Sequence, residues 1–235
     1  MLCKIADLLI EVPAAGGMDS RCAEYLCDKE SEPDIVICDD LYRPSVWPWA
    51  DYDMMCYMES GMQFYTHLLK FNGIMLHSSA VELDGKAYLF SGPCGMGKST
   101  HTKLWQQVFG PAAQVFNDDK PALRCIDGKW YAYGTPWCGK DGINQNKKIP
   151  LAGICFLKRG ETNVIRQLDT FQAIQKVISQ TRRKFRDPEM ANLMLTNVEN
   201  LVNTIPVFEL QNIPVPEAAY LSHETMRKKA EEMGL

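Results

Sequence analysis

No apolar run in this chain approaches the roughly 18 residues that a bilayer-spanning helix needs, so no membrane partner is expected. The opening stretch MLCKIADLLIEVPAAGG has Asp7 and Glu11 inside its apolar part, which argues against a signal peptide. Cys-x-x-Cys pairs are also missing. The nine cysteines are odd in number and scattered, so neither a disulfide framework nor a paired-cysteine zinc site is indicated, and reduced thiols in a cytoplasmic setting are expected. There is no basic surplus either: 25 Lys and Arg against 29 Asp and Glu leave a net charge of −4, the wrong balance for a nucleic-acid binder. The one dense basic group, Arg182, Arg183, Lys184 and Arg186, reads as a solvated helix face. No internal repeat, low-complexity tract or Asn-Lys-x-Asp guanine-reading motif occurs.

What is present suits one large globular domain. With 235 residues, 46% of them hydrophobic, the chain can bury a sizeable core. Residues 1–50 read as N-terminal strands and a linker, at most a small subdomain, and residues 51–235 as the principal domain. Strands are expected at 4–12 and 33–38. Pro44 and Pro48 then block helix, and Trp47 and Trp49, on either side of Pro48, are expected to pack on a core. From Asp51 to Lys70 apolar residues recur three or four apart, and the stripe Met54, Met55, Met58, Met62 reads as the core face of an amphipathic helix.

The central block is rich in strands. IMLHSSAVEL and KAYLFS are joined at Asp84-Gly85, and ALRCI and WYAYG at Asp127-Gly128, both hairpin signals. AGICFLK follows a Gly- and Lys-rich loop. Helical periodicity returns at about 170–183, 188–202 and 217–233, with IPVFEL as a strand between the last two. The fold class is therefore α/β with an α+β-like mixed sheet and C-terminal helices.

Between KAYLF and a helical run lies SGPCGMGKST, with Gly92, Gly97, Lys98 and Ser99 in the phosphate-loop spacing. Gly92, Gly95 and Gly97, with Cys94 between them, let backbone N–H groups turn inward toward phosphate oxygens. A helix starting at about Lys98 adds its positive end there, with Thr100 in its first turn. Lys98 would lie against the β- and γ-phosphates of ATP, and Ser99 would complete a Mg²⁺ shell. Cys94, beside those N–H groups, is expected to be a reactive thiol that bound nucleotide protects.

Twenty residues past Lys98 the strand QVFNDDKP ends in Asp118-Asp119. A carboxylate at the end of the strand beside a phosphate loop suits a Walker-B role. Neighbouring side chains on a strand point to opposite faces, so the chain must turn here if both reach the site. One would then anchor hydrated Mg²⁺ while the other accepts a proton from an incoming hydroxyl. An acidic turn chosen for its geometry is the plainer alternative.

The order of His77, GPCGMGKS and NDD resembles the HPr kinase/phosphatase family, whose P-loop core is shared with phosphoenolpyruvate carboxykinases. The wider pattern, over about residues 74 to 158, also looks like small bacterial HPr-kinase-like proteins. The resemblance implies a P-loop kinase core, with Lys98 and Ser99 on phosphate and metal. It further implies Asp118 as general base, Asp119 as the metal-side carboxylate and His77 near the base or the transferred phosphoryl. His77 also fits a satisfied histidine on a half-buried strand. In place of the family's downstream glycine-rich signature stands YGTPWCGKDGINQNKK, with Gly134, Lys140 and Asn144, which argues against HPr itself as acceptor. This loop is a candidate lid or acceptor-binding segment, or a solvated connection.

The sequence thus points to an ATP- and Mg²⁺-dependent kinase whose acceptor is a hydroxyl. Ser or Thr of a protein or peptide is favoured over a small molecule, and a homo-oligomer is left open. The alternatives are a non-catalytic ATP-binding sensor and a carboxykinase-type enzyme. Carboxykinases are longer chains with substrate-binding arginines, whereas the arginines here lie mostly outside the core block.

Overall fold

The structure is a computed structural model, and it describes residues 1–28, 31–182, 185 and 187–235. Arg183, Lys184 and Arg186 of the basic group lie outside the described residues.

The chain opens with β1 (Leu2–Ile5) and β2 (Leu8–Glu11), then a single turn α1 (Met18–Arg21) and the two-residue strand β3 (Ile35–Val36). The single strand expected over 4–12 is thus a hairpin, because Ala6 and Asp7 both take left-handed φ values, 52° and 60°. No glycine marks this turn; contacts from distant segments hold it. Arg124 donates to the Ala6 carbonyl, and the Asp7 carboxylate accepts from the Tyr133 hydroxyl (2.8 Å) and pairs with Lys148 (2.7 Å). The three strands form a small sheet. Its residues Cys3, Ile5, Ile10 and Tyr25 share one apolar cluster with Phe64, Leu68 and Trp137, so packing runs across position 50.

The proline-rich stretch runs as turns. Trp47 is half-buried, but Trp49, expected against the core, is 68% exposed. Asp51 then caps α2 (Tyr52–His67) by accepting from the Met54 N–H at 2.8 Å. The core face of α2 is Met55, Cys56, Phe64 and Tyr65, while Met54 is exposed and Met58 and Met62 are only half-buried. Of the methionine stripe, then, only Met55 lies on the core face.

The principal sheet begins with β4 (Gly73–Met75), β5 (Ser78–Leu83) and β6 (Lys86–Ser91). IMLHSSAVEL is broken at Leu76-His77, and its two halves pair with different partners. There follow α3 (Lys98–Phe109), β7 (Gln114–Asp119), β8 (Ala122–Ile126), β9 (Lys129–Tyr133) and the twelve-residue β10 (Lys148–Arg159). β11 (Val164–Gln167), unforeseen in sequence, leads to α4 (Thr170–Gln180), α5 (Pro188–Thr204), β12 (Val207–Asn212) and α6 (Pro216–Glu232).

The strand order is β4-β8-β9-β10-β6-β5-β7, with β12 beside β10 and β11 beside β12. β10 runs parallel to β6 and β12, and the other pairs in this sheet are antiparallel among the described residues. Its first residues pair with β9; from Leu151 it pairs with β6, with an irregularity before Gly153, and from Ile154 with β12 as well, joining an antiparallel half to a mixed half. Burial of every residue from Leu151 to Leu157 fits a strand covered on both faces. Alternation divides the faces: Leu89 and Ile154 pack with Val177 and Val198 of α4 and α5, whereas Phe90 and Cys155 pack with Trp105 and Met226 of α3 and α6.

Both hairpin turns foreseen in sequence are present, with positive φ at Asp84-Gly85 and Asp127-Gly128. Among the described residues no helix is long and apolar enough to cross a membrane.

Candidate functional site

Strand register gathers the site. β5 lies between β6 and β7, antiparallel to both, so β6 and β7 end at the same edge where β5 begins. Ser78 stands opposite Ser91 on one side and Asp119 on the other. His77, the loop after Ser91 and the two aspartates therefore meet at one edge, although they are far apart in sequence. His77 is fixed from outside the sheet: its backbone N–H donates to the Gln180 carbonyl (2.9 Å), and Nδ1 lies 3.1 Å from Gln180 Oε1. The C-terminus of α4 thus sets the break between β4 and β5.

The loop itself needs its glycines. Gly92, Gly95 and Gly97 have φ of 149°, 75° and 93°, a region that side chains disfavour. At Gly95 and Gly97 an added Cβ would meet nothing within 4 Å, so the loop surrounds open space at these positions. α3 follows without a side-chain cap on its first N–H groups. Lys98 is 9% exposed, and its ammonium donates to the carbonyls of Gly92 (3.0 Å) and Pro93 (3.4 Å). Burial lowers its pKa. Cys94 and Thr100 are exposed. Arg159, at the end of β10, donates to the Gly95 carbonyl and braces the loop.

The two aspartates face different partners. Ser99 Oγ lies 2.9 and 3.1 Å from the Asp118 carboxylate oxygens. Asp119 instead receives His77 Nε2 at 3.1 Å and Lys120 Nζ at 2.7 Å. The divergence has a backbone cause: Asp119 takes φ 94°, a conformation that costs a non-glycine residue about 1–3 kcal/mol. Both carboxylates line one cleft of about 420 Å³ with Gly95, Gly97, Lys98 and Ser99. Burial would raise the Asp119 carboxyl, but the His77 hydrogen bond and the Lys120 ammonium override it and hold the group well below the usual carboxylate range.

The segment from Gly134 to Lys147 folds back along β7. Asp118 N–H donates to the Ile143 carbonyl, Gln145 N–H to the Phe116 carbonyl, and Gly139 N–H to the Asp118 carbonyl at 2.8 Å. An added Cβ at Gly134 would lie 1.9 Å from the Gln145 carbonyl oxygen, so a close approach fixes that glycine. Asn144 bridges to Asn117. Of the three residues singled out here, only Lys140 lines the cleft.

A second cleft, of about 470 Å³, adjoins the first and shares Asp119, Gly139 and Lys140 with it. Arg21, Asp51, Asp53, Tyr57 and Lys120 add to its lining. The Tyr57 hydroxyl accepts from Lys120 (2.7 Å) and donates to the Cys138 carbonyl (2.8 Å), and the Arg21 guanidinium lies 4.6 Å from its ring centre. Sequence reasoning missed Arg21, Tyr57 and Lys120. Lys120 follows Asp119 directly and was within reach of a motif argument, whereas Arg21 and Tyr57 carry no local signal. Among the described residues no cluster of three or more His, Cys, Asp or Glu gathers to hold a metal.

The fold and site define a mixed α/β protein with a glycine-rich loop and a divided carboxylate pair at one sheet edge. The chain belongs to the family described as SynChlorMet cassette protein ScmC, whose model matches residues 46–214. No curated protein sequence matches it. Among solved structures, the Hpr(Ser) kinase/phosphatase from Coxiella burnetii is similar over 68% of this chain and 92% of that one. The TM-score is 0.40 and the identity 12%, a loose likeness that carries no argument about chemistry.

Proposed function

We propose that this chain is an ATP-dependent phosphotransferase that delivers phosphate to a hydroxyl, with Ser or Thr of a protein or peptide as the favoured acceptor. The observation that carries this reading is the division of labour between adjacent carboxylates, Asp118 on Ser99 and Asp119 on His77 and Lys120, at the seam of two clefts. The loop fits a polyphosphate: its glycines leave open space, the first N–H groups of α3 have no side-chain cap, and Lys98 supplies a positive charge. Ser99 and Asp118 offer the two hard oxygen ligands that Mg²⁺ takes alongside phosphate and water. Mg-ATP, when bound, supplies the γ-phosphoryl group, whose bond to the ADP oxygen breaks as the acceptor oxygen bonds to phosphorus.

The chain's own groups then divide the work. Lys98 and the loop N–H groups hold phosphate charge. Asp119 orients the acceptor hydroxyl and takes its proton, with His77 and Lys120 fixing the carboxylate. Lys140, at the rim of both clefts, adds positive charge near the transferred group. In this reading Asp118 and Asp119 exchange the roles that the family resemblance implies.

Transfer from γ-labelled ATP to an array of Ser- and Thr-containing peptides tests the proposal. Asp119→Asn is expected to keep nucleotide affinity and lose roughly 10²-fold or more in transfer, the range for a general base. Asp118→Asn is expected to weaken the Mg²⁺ dependence instead. If Asp119→Asn transfers at the wild-type rate, Asp119 is not the base, and if the wild-type chain labels no acceptor in the array, the kinase reading fails.

A further inference from the structure

The half-buried methionines of α2 do have a place. Met58 and Met62 line an apolar pocket of about 250 Å³ with Trp47, Tyr65, Met75 and Trp137. An apolar cavity of about 150 Å³ is already large enough for a benzene ring, so this pocket has room for an aromatic side chain. Its remaining lining includes Tyr57 and Lys120, the two residues that also wall the cleft beside Asp119. Pocket and cleft therefore lie on either side of one hydrogen-bonded pair, and that pair touches the carboxylate.

The lining points to the chemistry of the occupant. Aromatic rings and methionines make up most of it, which suits a large apolar side chain. The Tyr57–Lys120 wall places that side chain beside a chain whose hydroxyl lies at Asp119.

We propose that this pocket is a specificity subsite for a large apolar side chain, aromatic by preference, that neighbours the acceptor hydroxyl in a peptide chain. The inference rests on the phosphotransferase reading for the word acceptor. As a binding site it stands on the pocket alone.

The test uses the full chain and short fluorescent peptides with a central serine, phenylalanine moved one position at a time to either side and alanine elsewhere. Binding is read by anisotropy and transfer by label from γ-labelled ATP. At one position phenylalanine is expected to improve binding by about tenfold or more over alanine, as filling an apolar pocket does. Met58→Trp, which fills the pocket, is expected to erase that gain. Met58→Ala, which enlarges it, is expected to shift the preference from phenylalanine toward tryptophan, a change that loss of folding cannot produce. A flat scan, or a preference that neither variant moves, overturns the subsite. Saturation of the pocket by a second copy of this chain, seen as a concentration-dependent mass that Met58→Trp abolishes, overturns it as well. Positional binding without transfer keeps the subsite and removes the kinase reading. Transfer without positional preference does the reverse.

Discussion

The two clefts that meet at Asp119 are built in different ways. The loop cleft draws on residues from 77 to 140, on strands that are neighbours in the sheet and on the helix between them. The adjoining cleft takes Gly16, Gly17 and Arg21 from the N-terminal segment, Asp51, Asp53 and Tyr57 from the start of α2, and Asp119, Lys120 and residues 138–140 from the sheet edge and the loop beside it. Hydrogen-bond register and steric limits at glycine fix the first. The second depends on the packing of Trp137, Phe64 and Tyr25 in one apolar cluster. The loop cleft is thus held by sheet register and glycine geometry, and the adjoining cleft by packing between segments distant in sequence.

The largest separation of the two clefts is expected from Lys98→Ala. This change removes a charge-assisted contact to phosphate, a contact whose usual worth is about 1.5–3 kcal/mol, or roughly tenfold to a hundredfold in affinity. Calorimetry with Mg-ATP reads the loss, and binding of the fluorescent peptides is expected to hold. Unchanged ATP affinity would remove the phosphate-binding role from the loop; a matching loss of peptide binding would show that the two clefts are not separable.

A smaller and more selective effect is expected from Lys120→Met at the seam. With the ammonium gone, burial pushes the Asp119 carboxyl upward and His77 alone opposes it. The sign follows from the ionised form being the active one. In the wild type the depressed value keeps Asp119 charged as pH falls through the ordinary carboxylate range near ~3.9, so any acid limb from this group lies lower still. In the variant that limb moves up in pH. At neutral pH the fall in transfer is expected to be about tenfold, less than the roughly hundredfold that displacing a reacting group by an ångström costs. Tyr57→Phe, which removes the far partner of Lys120 and the hydroxyl's bond to the Cys138 carbonyl but keeps the ammonium on Asp119, serves as the control. Identical acid limbs in wild type and Lys120→Met would show that Lys120 does not hold Asp119.

The same contrast explains what could be read in the sequence. Gly92 to Ser99, the helix beginning at Lys98 and both glycine hairpins obey local rules, and each is present where its residues place it. Asp118 and Asp119 could be located but not told apart, because their divergence comes from the φ of 94° at Asp119 and from partners on other strands. Ala6-Asp7 was opaque for a similar reason: Arg124, Tyr133 and Lys148 hold a turn that its own residues do not announce. The methionine stripe of α2 shows where periodicity stops being informative. Met54, Met58 and Met62 share a helix face, but only tertiary structure decides whether that face meets a core or a pocket.

The mildest perturbation leaves the sequence intact and asks whether the loop cleft holds nucleotide while the N-terminal region stays unaffected. Cys94 is exposed at the loop tip and lines the cleft; Cys38 is exposed in the N-terminal region; Cys155 is buried on β10, where burial raises its thiol pKa. Exposure alone makes Cys155 the slowest to alkylate, so the informative comparison is Cys94 with Cys38. Brief iodoacetamide treatment, followed by mass spectrometry, is expected to label both in the free chain. Mg-ATP brings phosphate against the loop N–H groups and covers Cys94, and with ligand at ten times its dissociation constant protection is expected to reach about tenfold. Cys38 should label at the same rate in both conditions, since neither it nor its hydrogen-bond partners Gln63 and Asp39 line the cleft. Slowing of both thiols would indicate a change in the whole chain rather than occupancy of the loop. Equal labelling of Cys94 with and without nucleotide would place bound phosphate away from the loop tip, and the phosphotransferase reading would then rest on Lys98 and the divided carboxylates alone.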